Sequence, residues 1–444
     1  MKILVISYFY APKITPRAFR WTALCEKWEE LGHDVHVITG LEPRQLREEI
    51  IGGVKIHRVS GTLNLVRRWV LRDSNYKLNK NIKEDGGNIH RSSLVTFLTD
   101  TIRKVLRKIH DLTWKKVYWP DAMVMWVWPA IRRARLLLRS VDIDVLITVA
   151  HPFSDHLVGY LIRLAYPNLG WLADNGDPFA FSEGLPSNNL TLYRRVNFSF
   201  ERKILESANY FTVTTEETKR LYLTHFGTSP RKIIVIPPLL NPLLEKPDLN
   251  DATLFEKEAI ILLFVGIFYR EIRGPGPLLR LIDKLIRKSE ILNRKLQLHV
   301  MGPVDVISEE LKNYPHIASR VFLHGVVSHR KAISGMFNAN CLVNIGNTTA
   351  YQLPSKVIEY MATGLPILNL YAIPNDSSVI ALRNYPKHLD LNIENNMNYE
   401  KIIHFVESSY RREENRCNNF VEKYRLDEIS KHYICLLNRI LNRQ

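Results

Sequence analysis

Short apolar, β-branched runs recur along the chain. Each is followed by a segment whose apolar positions fall at helical spacing. In the first half the runs are Ile3–Ile6, Val35–Ile38, Val54–Val59, Val145–Val149, Trp171–Ala173, Tyr210–Thr214 and Ile233–Ile236. In the second half they are Ile260–Val265, Leu296–Val300, Val321–Leu323, Leu342–Ile345 and Ile367–Leu370. Continuous rather than alternating runs predict strands covered on both faces, hence parallel sheets flanked by helices. Pro237-Pro238 breaks the series, and Pro237–Lys257, rich in Pro, Asn and Asp, reads as a linker. The pattern predicts two doubly wound α/β domains, residues 1–240 and 258–405, joined by 241–257. A helical tail over 406–444 is expected to cross back to the first domain.

Composition narrows this picture. A length of 444 residues gives room for two or three domains with large cores. With 46% hydrophobic and 24% charged residues, wholesale disorder is excluded. No apolar stretch approaches the roughly 20 residues that span a bilayer. The nearest, Tyr118–Ile131, carries Asp121 and two prolines. The chain opens on Lys2-Ile3-Leu4-Val5-Ile6-Ser7, which reads as a first strand rather than a secretory leader. Cys25, Cys341, Cys417 and Cys435 are far apart and form no zinc or disulfide framework. The expectation is a cytoplasmic protein.

The net charge of +16 calls for an anionic partner. It is concentrated: residues 60–140 hold 17 Lys and Arg against 6 Asp and Glu, so +11 lies in one region. Leu98, Ile102, Val105, Ile109 and Leu112 recur there at helical spacing, with Arg103, Lys104, Arg107 and Lys108 on the other faces. Trp69, Trp114, Trp119, Trp126 and Trp128 flank the cluster. Cations beside Trp and Leu suit an anionic membrane surface better than nucleic acid, for which no helix-turn-helix, zinc-finger or RNP signature is present. A solvated helix packed on its own domain is the competing explanation.

Ligands of doubly wound sheets bind at the carboxyl ends of the strands. After the first strand, G-x-G-x-x-G is absent, which argues against an NAD or FAD domain. A Pro-rich loop instead delivers Arg17 and Arg20 at a helix start, either as an anion site or as solvated charges. After Val145–Val149 come His151 and His156, candidates for general acid or base near neutral pH. Trp171-Leu172-Ala173-Asp174-Asn175-Gly176-Asp177-Pro178 places two carboxylates just past another strand. Asp142-Ile143-Asp144 has the D-x-D form of metal-dependent sugar-nucleotide enzymes, but it precedes its strand and faces away from the ligand rim.

The most specific segment is Gln352-Leu353-Pro354-Ser355-Lys356-Val357-Ile358-Glu359-Tyr360-Met361-Ala362-Thr363-Gly364-Leu365-Pro366-Ile367. Pro354 suits a helix start, Gly364 a C-terminal cap, and Pro366 prevents continuation. Ser355 and Lys356 lie where unpaired N–H groups and the helix dipole favour phosphate. Glu359, one turn on, suits ribose hydroxyls. The combination fits a nucleotide.

This segment resembles the donor-binding motif of retaining glycosyltransferases of family four, closest to the bacterial surface-polysaccharide subgroup with a "PSK…EYMA.G.P" pattern. Gly32-His33-Asp34-Val35, "HPFSDHLVGY", "WLADNGDPF", "ERKILESANYFTVTTEETKRLY" and Gly266-Ile267-Phe268-Tyr269 with Arg273-Gly274 are similar to further motifs of that family, so the resemblance spans nearly the whole chain. It implies the GT-B fold of two facing Rossmann-like domains and a metal-independent, cofactor-free transfer from a UDP- or GDP-linked sugar. Lys356 and Arg273 would bind the donor diphosphate, Glu359 the ribose, and Gly266 would admit the donor. His156 and Asp177 would lie on the acceptor side near the transferred sugar. The implied acceptor is a lipid-linked or growing glycan at the inner face of the cell membrane. A GT-B epimerase or phosphorylase, or a non-catalytic assembly partner, are the alternatives. Four positions depart from the family pattern. Tyr351 stands where a Glu precedes Glu359, and Ile267 where an Arg follows the glycine. Thr15-Pro16-Arg17 replaces a Gly-Gly, and Ile236-Pro237-Pro238-Leu239 replaces an inter-domain "IPNG".

Overall fold

A computed structural model describes residues 1–13, 15–60, 117–182, 186–244, 254–270, 272–410 and 418–442. The expected amphipathic helix around 98–112, Trp69, Trp114, Cys417 and much of the expected linker lie outside the described residues. The chain divides into two compact units. The first comprises Met1–Val213, Phe226–Ile234 and Ile434–Gln444; the second comprises Thr214–His225 and Val235–Tyr433.

The first unit is built on a sheet of eight strands: β1 (Lys2–Ile6), β2 (Asp34–Gly40), β3 (Glu48–Ile51), β4 (Val54–Val59), β5 (Val145–Ala150), β6 (Gly170–Asn175), β7 (Tyr210–Val213) and β8 (Ile233–Val235). Their order is β3-β4-β2-β1-β5-β6-β7-β8. Central β1 pairs in parallel with β2 and β5, with Ile3 opposite Val35 and Val145. Every residue of β5, β6 and β7 is buried, as continuous apolar runs require. The edge strand β3 is antiparallel to β4. Helices α1 (Pro16–Glu30), α2 (Val127–Ser140), α3 (Ser154–Ala165) and α4 (Leu190–Ser207) connect the strands. Helix α5 (Glu216–Phe226) follows β7 in sequence but falls almost entirely in the second unit. There Thr218 Oγ1 donates to the Tyr351 carbonyl at 2.8 Å.

The second unit holds β9 (Ile260–Val265), β10 (Leu296–Met301), β11 (Val321–Gly325), β12 (Cys341–Ile345), β13 (Ile367–Tyr371) and β14 (His388–Asn392), ordered β11-β10-β9-β12-β13-β14 and parallel throughout. Helices α6 (Gly276–Lys288), α7 (His329–Asn338) and α8 (Ser355–Thr363) cover it. Leu262, Phe264, Leu278, Leu281, Leu298 and Val343 form one face of its core. Leu263, Met336, Val357, Ile358 and Leu342 form the other. Helix α9 (Leu426–Leu441) starts in the second unit and ends in the first. Strand order reverses between β1 and β5 in one sheet and between β9 and β12 in the other. In both, the carboxyl ends around that switch point are where a crevice opens.

Candidate functional site

At the switch point of the first sheet, Asp174 closes β6 as a buried hub. Its Oδ2 accepts from Arg17 Nη1 at 2.8 Å and from Trp21 Nε1 at 3.2 Å; its Oδ1 accepts from Thr212 Oγ1 at 2.6 Å. Arg17 reaches it because α1 begins immediately after the first loop. Thr15 caps α1, with its hydroxyl accepting from Ala18 N, and Pro16 occupies the first turn. Thr15-Pro16-Arg17 therefore works as a helix start where the family pattern has two glycines. The Arg17 guanidinium lies over Gly176, where any Cβ would fall 1.3 Å from Nη2. Arg17 is thus an ion-paired residue. Arg20, the other expected anion ligand, is buried on the inner face of α1.

Asp177 is half-buried in the loop after β6 and lies in the electrostatic neighbourhood of His151, together with Arg17 and Asp121. Burial lowers the His151 pKa. The loop is fixed by Glu201 of α4, a fully buried carboxylate that accepts from Phe179 N at 3.1 Å and Ala180 N at 2.8 Å. Sequence reasoning missed Glu201, which stands in "ERKIL" with nothing local to mark its partners 21 and 22 residues away. Glu201→Ala leaves two buried N–H groups unpaired and should cost about 3 kcal/mol in urea unfolding, with Glu201→Gln roughly half as damaging. Equal stability of all three proteins would refute the stapling role.

His156 sits in the first turn of α3 and is fully buried. Its Nδ1 lies 2.7 Å from Thr148 Oγ1, which also accepts from Trp171 Nε1 at 2.9 Å. The tautomer that satisfies all three groups has Thr148 donating to Nδ1 and the imidazole proton on Nε2, which has no partner among the described residues. Burial pushes the His156 pKa down to about 3. The ring is neutral near pH 7 and fits a hydrogen-bond donor, not the titrating acid or base that its residue type suggested. Because the folded pKa lies below the ordinary 6.5, the unfolded chain gains a proton that the folded ring refuses. The contribution of His156 to stability is full above pH 6.5 and declines as pH falls towards 3. Between pH 7 and pH 5 the wild type should lose about 2 kcal/mol more than His156→Gln. Parallel pH profiles for the two would contradict this. Asp121 caps the same helix, accepting from Ser154 N at 2.7 Å and Ser154 Oγ at 2.8 Å. The D-x-D pair lies at the opposite end of the sheet, where Asp144 Oδ2 accepts from Lys2 N at 2.7 Å.

The second site is assembled at the carboxyl ends of β9, β10 and β12. Gly266 follows β9, Gly302 follows β10 and Gly325 closes β11. Gly266 N donates to Met301 O at 3.0 Å and Gly302 N to Gly325 O at 2.9 Å, so backbone without side chains lines this rim. Gly302 was not singled out from the sequence; a glycine directly after a buried strand was the available signal. Helix α8 starts after Pro354, and among the described residues no side chain caps its first N–H groups. Ser355 and Lys356 occupy that turn, half-buried. Lys356 Nζ pairs with Glu359 one turn on, the two side chains being 24% and 10% exposed. Gly364 ends the helix with a left-handed φ of 72°.

Tyr360 ties α8 to β9: its hydroxyl accepts from Val265 N at 2.8 Å and donates to Val265 O at 3.3 Å. Burial raises its phenol pKa. Arg273 interacts electrostatically with this phenol, donates from Nε to Ile267 O at 3.0 Å, and lies 5.3 Å over the Tyr269 ring. Burial lowers the Arg273 pKa from its ordinary value. Arg273 and Glu359 therefore lie in the electrostatic neighbourhood of Tyr360, Gly266 follows the strand end that Tyr360 holds, and Lys356 pairs with Glu359. Tyr351 is buried with its carbonyl held by Thr218. Ile267 is 40% exposed.

Two parallel-sheet α/β units with polar sites at their switch points define the GT-B class of fold. The sequence profile of Glycosyltransferase Family 4 matches residues 90–242. A D-inositol 3-phosphate glycosyltransferase of Geodermatophilus obscurus is 27% identical over 108 residues, a stretch covering 23% of this chain and 23% of that protein. Sucrose-phosphate synthase from Thermosynechococcus elongatus superposes with a TM-score of 0.66 at 15% identity, covering 100% of both chains. Anabaena HepE in complex with UDP and glucose gives 0.58 at 10% identity, covering 99% of this chain and 100% of that one. The chain has the GT-B fold.

Proposed function

We propose that the protein is a retaining glycosyltransferase that moves a sugar from a UDP- or GDP-linked donor to a lipid-linked glycan of a bacterial surface polysaccharide, at the anionic inner face of the membrane. The observation that carries this reading is the uncapped start of α8, where Lys356 and Glu359 stand one turn apart beside the glycine-lined end of β9. Arriving diphosphate draws Lys356 Nζ from Glu359, and the freed carboxylate accepts the ribose hydroxyls. The acceptor hydroxyl attacks the anomeric carbon on the face the diphosphate leaves. The carbon–oxygen bond to the diphosphate breaks, and a diphosphate oxygen takes the acceptor's proton. Charge on the leaving group is met by Lys356, Arg273 and the α8 N–H groups. Neutral His156 supplies an Nε2–H donor and Asp177 a carboxylate for sugar hydroxyls. The similarity to family four and to HepE with its UDP supports a nucleotide sugar as donor.

A thermal-shift screen with UDP, GDP and their sugars tests the donor site. The true nucleotide at about 100 times its dissociation constant adds about 2.7 kcal/mol of stability. Transfer to a panel of lipid-linked acceptors then tests the reaction, with the anomeric configuration of the product read by NMR. No nucleotide binding and no transfer would refute it. Isomerisation of the nucleotide sugar without acceptor would mark an epimerase instead.

A further inference from the structure

Helix α2 (Val127–Ser140) carries two opposed faces. Val127, Ala130, Ile131, Ala134 and Leu137 are buried against the first unit. At about 100° per residue, Trp128, Arg132, Arg135, Leu136 and Arg139 fall within a stripe about 100° wide on the other side. All five are exposed, Trp128 at 73% and Leu136 at 52%. A tryptophan this open to water, set among cations, calls for a partner that takes both an indole and three guanidinium groups. The helix contains no Asp or Glu. Its fourth arginine, Arg133, lies off the stripe and is paired with Glu48 at 2.8 Å. Among the described residues, no carboxylate pairs with Arg132, Arg135 or Arg139.

We infer that α2 docks lengthwise on an anionic lipid bilayer through this stripe, with Trp128 and Leu136 entering the headgroup region and the three arginines meeting lipid phosphates. Charge complementarity decides the occupant: three cations with no counter-charge among the described residues, spread over about 10 Å of helix, face an anionic plane. Trp and Leu interleaved with Arg suit the membrane–water interface, where the indole is half wet and the aliphatic side chain is dry. The stripe is separate from the expected basic segment at 98–112. The inference deepens the membrane attachment proposed above and rests on that reading, yet its test does not depend on catalysis.

Co-sedimentation of the full chain with vesicles of phosphatidylcholine alone, or with about 30% phosphatidylglycerol to give an anionic surface, is the experiment. Each cation near such a surface is worth about fivefold in binding. Arg132→Glu/Arg135→Glu/Arg139→Glu should lose tenfold or more of its affinity for the anionic vesicles. A charge-matched control on the second unit, Lys284→Glu/Lys312→Glu/Lys401→Glu, should lose less than twofold. Trp128→Ser/Leu136→Ser should lose severalfold, and salt should weaken what remains of the arginine contribution. If charge reversal disturbs folding, the neutral Arg→Gln triple gives the same ranking in milder form. Stripe variants that bind like wild type, or a control that loses as much, would overturn the inference. So would single-stranded RNA binding that follows the arginines but ignores Trp128 and Leu136. UDP- or GDP-induced thermal shifts, measured on the same variants, should be unchanged. Loss of vesicle binding with nucleotide binding intact separates this inference from the donor site. Stripe-dependent vesicle binding in a protein that binds no nucleotide leaves the inference standing and removes the transferase reading.

Discussion

Lys356→Ala should lower kcat/KM for sugar transfer by about 10²–10³ while leaving a folded protein. The magnitude follows from the charge at stake. A preorganised cation and helix N–H groups aimed at developing negative charge contribute about 3–4 kcal/mol to the transition state in comparable sites. Lys356 is the first-turn cation of a helix whose N–H groups no side chain caps. Its removal also strands Glu359, which is only 8% exposed. The pair is partly hydrated, so the stability cost should be about 1–2 kcal/mol, below that of a fully buried pair. The double variant Lys356→Met/Glu359→Gln separates the two effects. It removes the stranded charge and should recover most of the stability, yet transfer and nucleotide-induced stabilisation should remain lost. Recovery of transfer in the double variant, or full transfer in Lys356→Ala, would show that α8 has no part in donor binding.

The central strands were legible because burial on both faces enriches them in apolar and β-branched residues. Each of the twelve apolar, β-branched runs coincides with a strand of the two sheets. The two strands without such a run are β3 and β14, the antiparallel edge of one sheet and one of the two parallel edges of the other. Glu48-Glu49-Ile50-Ile51 and His388-Leu389-Asp390-Leu391-Asn392 keep polar residues because an edge strand has fewer neighbours to satisfy. Helix α8 was legible in full, since Pro354, Gly364 and Pro366 are local signals.

Long-range chemistry was not legible. Arg17 and Asp174 are 157 residues apart, so no spacing rule joins them. A solvated or anion-binding Arg17 were the options available from sequence, and an ion pair inside the first unit is the outcome. His156 was visible as a residue but not as a state: its neutrality follows from burial and from the Thr148–Trp171 chain, both products of packing. Tyr360 was read as part of a motif, whereas its hydroxyl is what ties α8 to the end of β9.

Two glycine substitutions should divide the protein's functions between its units. A Cβ on Gly302 would lie 1.8 Å from the Gly266 carbonyl oxygen, and its φ of 152° is one that L side chains rarely adopt. Neither backbone can retreat, because Gly266 N is bonded to Met301 O and Gly302 N to Gly325 O. Gly302→Ala should therefore cost about 3 kcal/mol or more and abolish nucleotide-induced stabilisation. A Cβ on Gly176 meets a different kind of neighbour, the tip of the Arg17 side chain, 1.3 Å away. A guanidinium on a flexible stem can swing aside, so the fold survives at a cost of about 1–2 kcal/mol. What is lost is the Arg17–Asp174 contact, while Trp21 and Thr212 still hold Asp174. Gly176→Ala should bind nucleotide like wild type and still transfer sugar at least tenfold more slowly. Arg17→Ala should match it, since both leave Asp174 without its cation. The measurement is a nucleotide thermal-shift titration beside an initial-rate assay. Intact transfer in Gly176→Ala would show that the Arg17–Asp174 pair has no part in transfer, and intact nucleotide binding in Gly302→Ala would remove the β9–β10 rim from the donor site.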